Sequence, residues 1–211
     1  MQRIALLGGT FDPVHLGHVH IVRSVIERVA LDELWILPNA SPPHKAQPML
    51  NTELRFHLCE AVFAPYKQVQ VKPIELELPL PSYSVHTLRY LRQIMPKAAF
   101  LWILGVDAWK NLDQWYQWQD VLQLTNWLVL NRPGYECGVL AENELNTAWQ
   151  QRREVTELDW NNRAQVFELN IEQHPASSSR IRHACIHNQL DTVEAWLPKI
   201  VLQALKNNKL T

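Results

Sequence analysis

The 211-residue chain is long enough for one sizeable α/β core and carries no flexible linker that would divide it, so residues 1–211 are expected to form a single domain. Twenty Lys and Arg nearly balance twenty-one Asp and Glu, and a net charge of −1 provides no global positive field to argue for nucleic acid as a partner. Three widely spaced cysteines (Cys59, Cys137, Cys185), no basic and apolar leader and no run of membrane-spanning length predict a cytoplasmic protein with free thiols and no membrane partner.

Ile4 to Leu7 is a continuous apolar run, as in a strand buried on both faces of a parallel sheet, although four residues alone would also suit a buried helix. Gly8 and Gly9 are expected to end it in a tight turn that lets a ligand approach bare amides. From Gly17 onward Val19, Ile21, Val22, Val25, Ile26 and Val29 recur mostly at helical spacing, which puts His15 and His18 at a helix N-terminus. Such a terminus has unpaired N–H donors and a partial positive charge, and imidazoles there add donors for a phosphate, without a Walker lysine. Two histidines can also be a metal half-site, but there is no H-E-x-x-H and no cysteine pair at ligand spacing.

The string Gly8-Gly9-Thr10-Phe11-Asp12-Pro13-Val14-His15-Leu16-Gly17-His18 resembles the signature of the nucleotidyltransferase superfamily with an H-x-G-H motif, in the wording of the bacterial nicotinate-nucleotide adenylyltransferases. The resemblance implies an α/β, Rossmann-like doubly wound parallel sheet with helices on both faces. It also implies that Gly8, Gly9, Thr10, Phe11, His15 and His18 bind ATP, with His15 and His18 catalytic.

Glu33 to Pro38 is a second apolar run, and β-α-β at this spacing predicts parallel neighbours with a ligand crevice at their carboxyl ends. The proline-stiffened loop from Asn39 to Lys45 leaves that same end. Its Pro42-Pro43-His44-Lys45 resembles the family's second motif, implying that Asn39, His44 and Lys45 meet the nicotinate nucleotide and that Lys45 touches phosphate. Thr52 to Phe63 reads as a scaffold helix capped by Asn51. Val69, Val71 and Ile74 alternate in strand fashion up to the proline-bounded Leu78–Ser82, and a serine is expected to cap a helix over Val85 to Leu91. The family has threonine where Ser84 stands; serine keeps the hydroxyl expected to meet the acceptor.

Ala98 to Leu104 is strand-like and ends at Gly105-Val106-Asp107. An acid there can bind ribose hydroxyls or cap a helix over Ala108 to Leu112. In the resembling family this G-x-D element contacts the adenosine ribose, and the spacing from Asp107 picks out Trp115 for the nicotinate ring with Tyr116 beside it; Trp109 and Trp118 are read as packing. Trp127 to Asn131 is another buried strand, followed by an Arg132-Pro133-Gly134 turn. Residues 138–162 are polar and weakly periodic, with one short helix near Leu145 to Trp149, and Val166 to Leu169 reads as the last strand. Ser177, Ser178 and Ser179 stand at a helix start, where hydroxyls can cap it and donate to phosphate, with Arg182 three residues beyond on the same face. The stretch resembles the family's I-S-S-T-x-x-R element. Asp191 to Leu205 has helical spacing.

The resemblance implies AMP transfer from ATP to nicotinate mononucleotide, giving deamido-NAD and pyrophosphate. Its substrates are then small molecules, with Mg²⁺ carried by the ATP phosphates and water rather than by a carboxylate cage. Catalysis would rest on positioning and on charge from His15, His18, Lys45 and Arg182. The alternatives are a nicotinamide-mononucleotide or phosphopantetheine adenylyltransferase, a nucleotide sensor that binds without reacting, and an RNA-binding domain, which the neutral charge disfavours.

Overall fold

The computed structural model describes residues 1–41, 47–131 and 143–207. Ile4 and Leu6 face one way and Ala5 and Leu7 the other, each packed into a separate apolar cluster, so the first strand is buried on both sides. This strand, β1 (Arg3–Gly9), runs through both glycines, which pair with Leu37 and Pro38; the chain turns only beyond it, at Asp12 and Pro13. It leads to α1 (Leu16–Arg28), β2 (Glu33–Pro38), α2 (Thr52–Phe63), β3 (Val69–Val71), α3 (Ile74–Glu77) and α4 (Ser84–Ile94). The chain then returns to β1's other side with β4 (Ala99–Gly105), α5 (Val106–Lys110), α6 (Trp118–Leu124), β5 (Asn126–Asn131) and α7 (Glu144–Gln150). It closes with β6 (Arg153–Glu154), β7 (Val166–Asn170), α8 (Ser178–Ile186) and α9 (Lys199–Asn207).

All the described strand pairings are parallel, in the order β3-β2-β1-β4-β5-β7-β6. Winding reverses at β1, whose neighbours are β2 and β4, so a crevice opens between the carboxyl ends of β1 and β4. The sheet is doubly wound, as expected. Apolar residues of α1, α2, α8 and α9 cover one face, and those of α4, α5, α6 and α7 cover the other. Among the described residues no helix is long and apolar enough to cross a membrane.

Several local expectations are corrected. Ile74 is not in a strand: Lys72 makes the last amide bond to β2, and Pro73, with no N–H to continue the ladder, opens the short helix α3. No serine caps α4; Tyr83 holds the N-cap position with no side-chain bond, while the Ser82 hydroxyl accepts from the amides of Ala40 and Ser41 at 3.2 and 3.3 Å. Asp107 lies within α5, whose N-cap is Gly105. The tail divides into a 3-10 segment, Leu190–Trp196, and α9, because Leu197 before Pro198 is held extended. The short helix near Leu145 is present as α7, capped by Asn143, whereas α6 and the edge strand β6 had no expectation. The Arg132-Pro133-Gly134 turn lies outside the described residues.

A fully buried arginine ties the loops at the crevice together. Arg55, on α2, donates from Nε to the Leu50 carbonyl (3.2 Å) and from Nη1 to those of Thr10 and Asn39 (2.7 and 2.8 Å). Its Nη2 serves the Ala40 carbonyl and the Thr52 hydroxyl at 3.3 and 3.0 Å, so all five N–H donors are used. Removing it would leave several buried carbonyls unpaired. Arg55→Leu is expected to lower stability by about 3 kcal/mol or more; a shift of the urea midpoint to lower concentration at unchanged m-value checks this.

Candidate active site

Two histidines cap the helix that follows β1, each by accepting from a backbone amide of its first turn or N-cap. His15, in extended conformation at the N-cap of α1, accepts from the Gly17 amide on Nδ1 at 3.1 Å. His18 accepts from the His15 amide on its own Nδ1 at 3.2 Å, so a capping box is built from imidazoles. The rings stack with centroids 3.8 Å apart. With both Nδ1 atoms accepting, a neutral ring carries its proton on Nε2. Gly17 is required here: a Cβ would stand 2.9 Å from Nδ1 and Cε1 of His15.

His15 is nearly inaccessible, and burial, with His174 adding repulsion, pulls its pKa down to about 4. It is therefore a neutral donor near pH 7, where the sequence reading had it supplying charge.

The loop between β1 and α1 is held from three sides. Phe11 has positive φ (49°), buries its ring against the Gly9 position and packs 4.9 Å from the His18 ring, so toward a ligand it offers backbone. Asp12 is buried and accepts from the amides of Met49 and Leu50 at 2.8 and 2.9 Å. From α8, Arg182 donates through Nη1 to the Asp12 carbonyl at 2.8 Å and through Nη2 to the Ser179 hydroxyl at 3.2 Å. The same Nη1 is 3.8 Å from the Asp12 carboxylate. Ser178 donates to the Pro13 carbonyl at 3.1 Å, and Ser177 is the N-cap of α8 without a side-chain cap bond. His15, His18, Ser178, Ser179 and Arg182 are thus gathered around one loop.

Beside it, between the carboxyl ends of β1 and β4, lies a cavity of about 340 Å³. Gly8, Gly9, Thr10, Asn39, Ser84, Gly105, Trp115 and Tyr116 of the expected site line it, and Tyr83, Trp102 and Glu75 complete much of the wall. Gly8 and Gly9 are small for packing reasons: a Cβ would meet the Trp102 ring at 3.0 Å and the Phe11 ring at 3.1 Å. At Gly105 a Cβ would meet nothing within 4 Å, so that position borders open space. The Asn39 amide reaches the Thr10 hydroxyl at 3.4 Å, while its buried Oδ1 has no partner among the described residues. Asp107 is exposed on the first turn of α5 and does not line the cavity. His44 and Lys45 lie outside the described residues.

Three residues here were not singled out from the sequence: Asp12, Arg55 and Glu75. Arg55 did leave a signal, since it falls on the apolar stripe with Leu58, Cys59 and Val62. Asp12 sat inside the quoted string but was given no role.

Residues 6–184 match the model of the cytidylyltransferase-like family. A Shewanella sediminis protein named a probable nicotinate-nucleotide adenylyltransferase is 32% identical over 210 residues, covering 99% of this chain and 98% of that one. Its Shewanella frigidimarina counterpart of the same name is 34% identical over 190 residues, covering 89% and 90%. In fold, the chain is similar to a Plasmodium falciparum nicotinic acid mononucleotide adenylyltransferase complexed with NaAD, at TM-score 0.73 and 14% identity, covering 100% of this chain and 98% of that one.

The depressed pKa of His15 has a stability consequence of definite sign. Between about 4 and the ordinary value of 6.5 the unfolded chain binds this proton and the folded one does not, so stability falls as pH is lowered through that window. The loss reaches about 3 kcal/mol near pH 4. NMR titration should find the His15 ring neutral at pH 6, and His15→Asn should flatten this part of the stability profile.

Proposed function

The chain belongs to the cytidylyltransferase-like family and, within it, to the nicotinate-nucleotide adenylyltransferases, and from that premise we propose how its site performs the reaction. It is an enzyme that transfers AMP from ATP to nicotinate mononucleotide, releasing deamido-NAD and pyrophosphate. The observation that carries this reading is the pairing of His15 and His18, both turned by backbone amides to present Nε2–H, beside an aromatic-walled cavity at the switch point of the sheet.

ATP binds as its Mg²⁺ complex, the ion supplying charge neutralisation on the triphosphate. Phosphate oxygens and water would hold that ion, as suits a hard cation that keeps several waters. His15 and His18 donate from Nε2 to the phosphates, joined by Arg182, Ser177, Ser178, Ser179 and the backbone from Gly8 to Phe11. Gly105 and Asp107 take the adenosine ribose. Asn39, His44, Lys45 and Ser84 hold the nicotinate nucleotide, and Trp115 and Tyr116 face its ring. This assignment supports a pyridine acceptor over phosphopantetheine, because a flat ring matches aromatic walls.

The acceptor's phosphate, with a second pKa near 6, is already largely dianionic at neutral pH and needs no general base. One of its oxygens attacks the α-phosphorus in line, the α–β bridge breaks, and pyrophosphate leaves. Neutral His15 suits this step, since a fixed N–H dipole stabilises the developing charge without a proton to lose. One domain, acting in the cytoplasm on small molecules, suffices.

Pyrophosphate release with ATP and Mg²⁺ is expected to be fastest with nicotinate mononucleotide, slower with nicotinamide mononucleotide and absent with phosphopantetheine; release with none of them, while ATP still binds, would replace the enzyme by a sensor. His18→Ala should lower kcat by about a hundredfold or more while costing about 1 kcal/mol in stability for the lost cap, measured by steady-state turnover and thermal melting.

A further inference from the structure

One buried acid in the cavity wall is not used by the mechanism above. Glu75, on α3, is 5% exposed and is the one carboxyl among the described residues that line the cavity. The Thr87 hydroxyl of α4 donates to its Oε1 at 3.0 Å, and no cation among the described residues pairs with it. The aromatic rings of Tyr83 and Tyr116 stand in the same wall, 4.7 Å apart; behind them the His86 ring sits edge-on at 5.7 and 6.2 Å. A buried carboxyl with no cation paired to it, set among aromatic faces, is the arrangement that suits a flat organic cation.

The acceptor carries such a cation, because the N-glycosidic bond makes its ring a pyridinium. We propose that Glu75 is the counter-ion of the acceptor's pyridinium ring, so that the cavity selects by ring charge as well as by shape. This rests on the reading of the cavity as the acceptor site. The carboxylic acid or amide on the ring is read by other groups, so the two pyridine nucleotides benefit alike.

Burial holds the Glu75 carboxyl up at about 7, against the opposing Thr87 hydrogen bond. The titratable groups around it are Tyr83 and His86 from the α4 segment, Tyr116 from the loop before α6 and, on its own helix, Glu77. At lower pH the carboxyl is protonated and must lose its proton for the ring to bind; affinity for a charged ring therefore rises as pH rises through about 7. The acceptor phosphate also titrates near pH 6, so a control with the same phosphate is required.

That control is the 5′-phosphate of the benzamide C-riboside, in which a neutral benzene ring replaces the pyridinium. Calorimetric titration of the full chain between pH 5.5 and 8.5 compares it with nicotinate and nicotinamide mononucleotides. For the wild type, both charged-ring nucleotides should gain about tenfold in affinity over the control between pH 5.5 and 8.5, the ratio one pKa unit represents. Glu75→Gln should remove that gain and weaken both by about tenfold at pH 8, leaving the neutral ring and ATP unchanged. The variant should melt at or above the wild-type temperature at pH 8, since it lacks a buried charge.

Equal weakening of charged and neutral rings would show packing instead and overturn the proposal. So would a change confined to nicotinate against nicotinamide, or wild-type profiles that run parallel for both ring types. If wild-type protein binds neither pyridine nucleotide, the reading of the cavity fails and the proposal with it. If it turns over nicotinate mononucleotide normally but shows no ring-charge effect, only the role of Glu75 falls.

Discussion

The site depends on one buried guanidinium. Arg55 spends its five donors on the carbonyls of Leu50, Thr10, Asn39 and Ala40 and on the Thr52 hydroxyl, so the loops leaving β1 and β2 and the start of α2 share one planar clamp. Desolvation pulls its pKa down, yet a guanidinium remains charged, and the nearby Asp12 carboxylate opposes the shift. A buried charge is tolerable only where every donor is satisfied, and this requirement leaves the loops one arrangement. Ser82 adds a second tie, holding the amides of Ala40 and Ser41 from the segment before α4.

Around that clamp the site divides into two chemistries on either side of residues 8–15. On one side stand the Nε2 atoms of the histidine pair, Arg182 and the serines that open α8, a set of donors suited to phosphates. On the other is the cavity walled by Trp115, Tyr116, Tyr83 and Trp102, suited to a flat ring. Asp12 joins the halves without facing a ligand: its carboxylate takes two amides ahead of α2 and its carbonyl takes Arg182. The histidines themselves are constrained before substrate arrives, because each Nδ1 is already an acceptor. Their donors are therefore preorganised rather than recruited.

The doubly wound architecture was legible because it rests on local rules. Continuous apolar runs such as those around Ile4, Trp35, Trp102 and Trp127 need cover on both faces, and helical spacing after His15 and Asn51 supplies the covering elements. The gathering of His15, His18, Ser179 and Arg182 around one loop was legible too, since they sit at helix starts and need only that position to converge. The expectations that failed did so where proline or competing hydrogen bonds overrode periodicity. Pro73 turned the stretch around Ile74 from strand to helix, and Ser82, a candidate cap, was drawn instead to another loop's amides.

By itself, then, the sequence determined most of the strands and helices, the family resemblance and which histidines and serines open helices, because these follow from periodicity and from residue types a few positions apart. Only the tertiary structure decided that Arg55 and Asp12 are interior ties, that His15 stays neutral, and that a buried carboxyl, Glu75, faces the cavity beside the aromatic rings. Those properties depend on partners tens of residues away and on loss of contact with water. Burial and long-range pairing set a charge's cost, and neither is written in neighbouring residues.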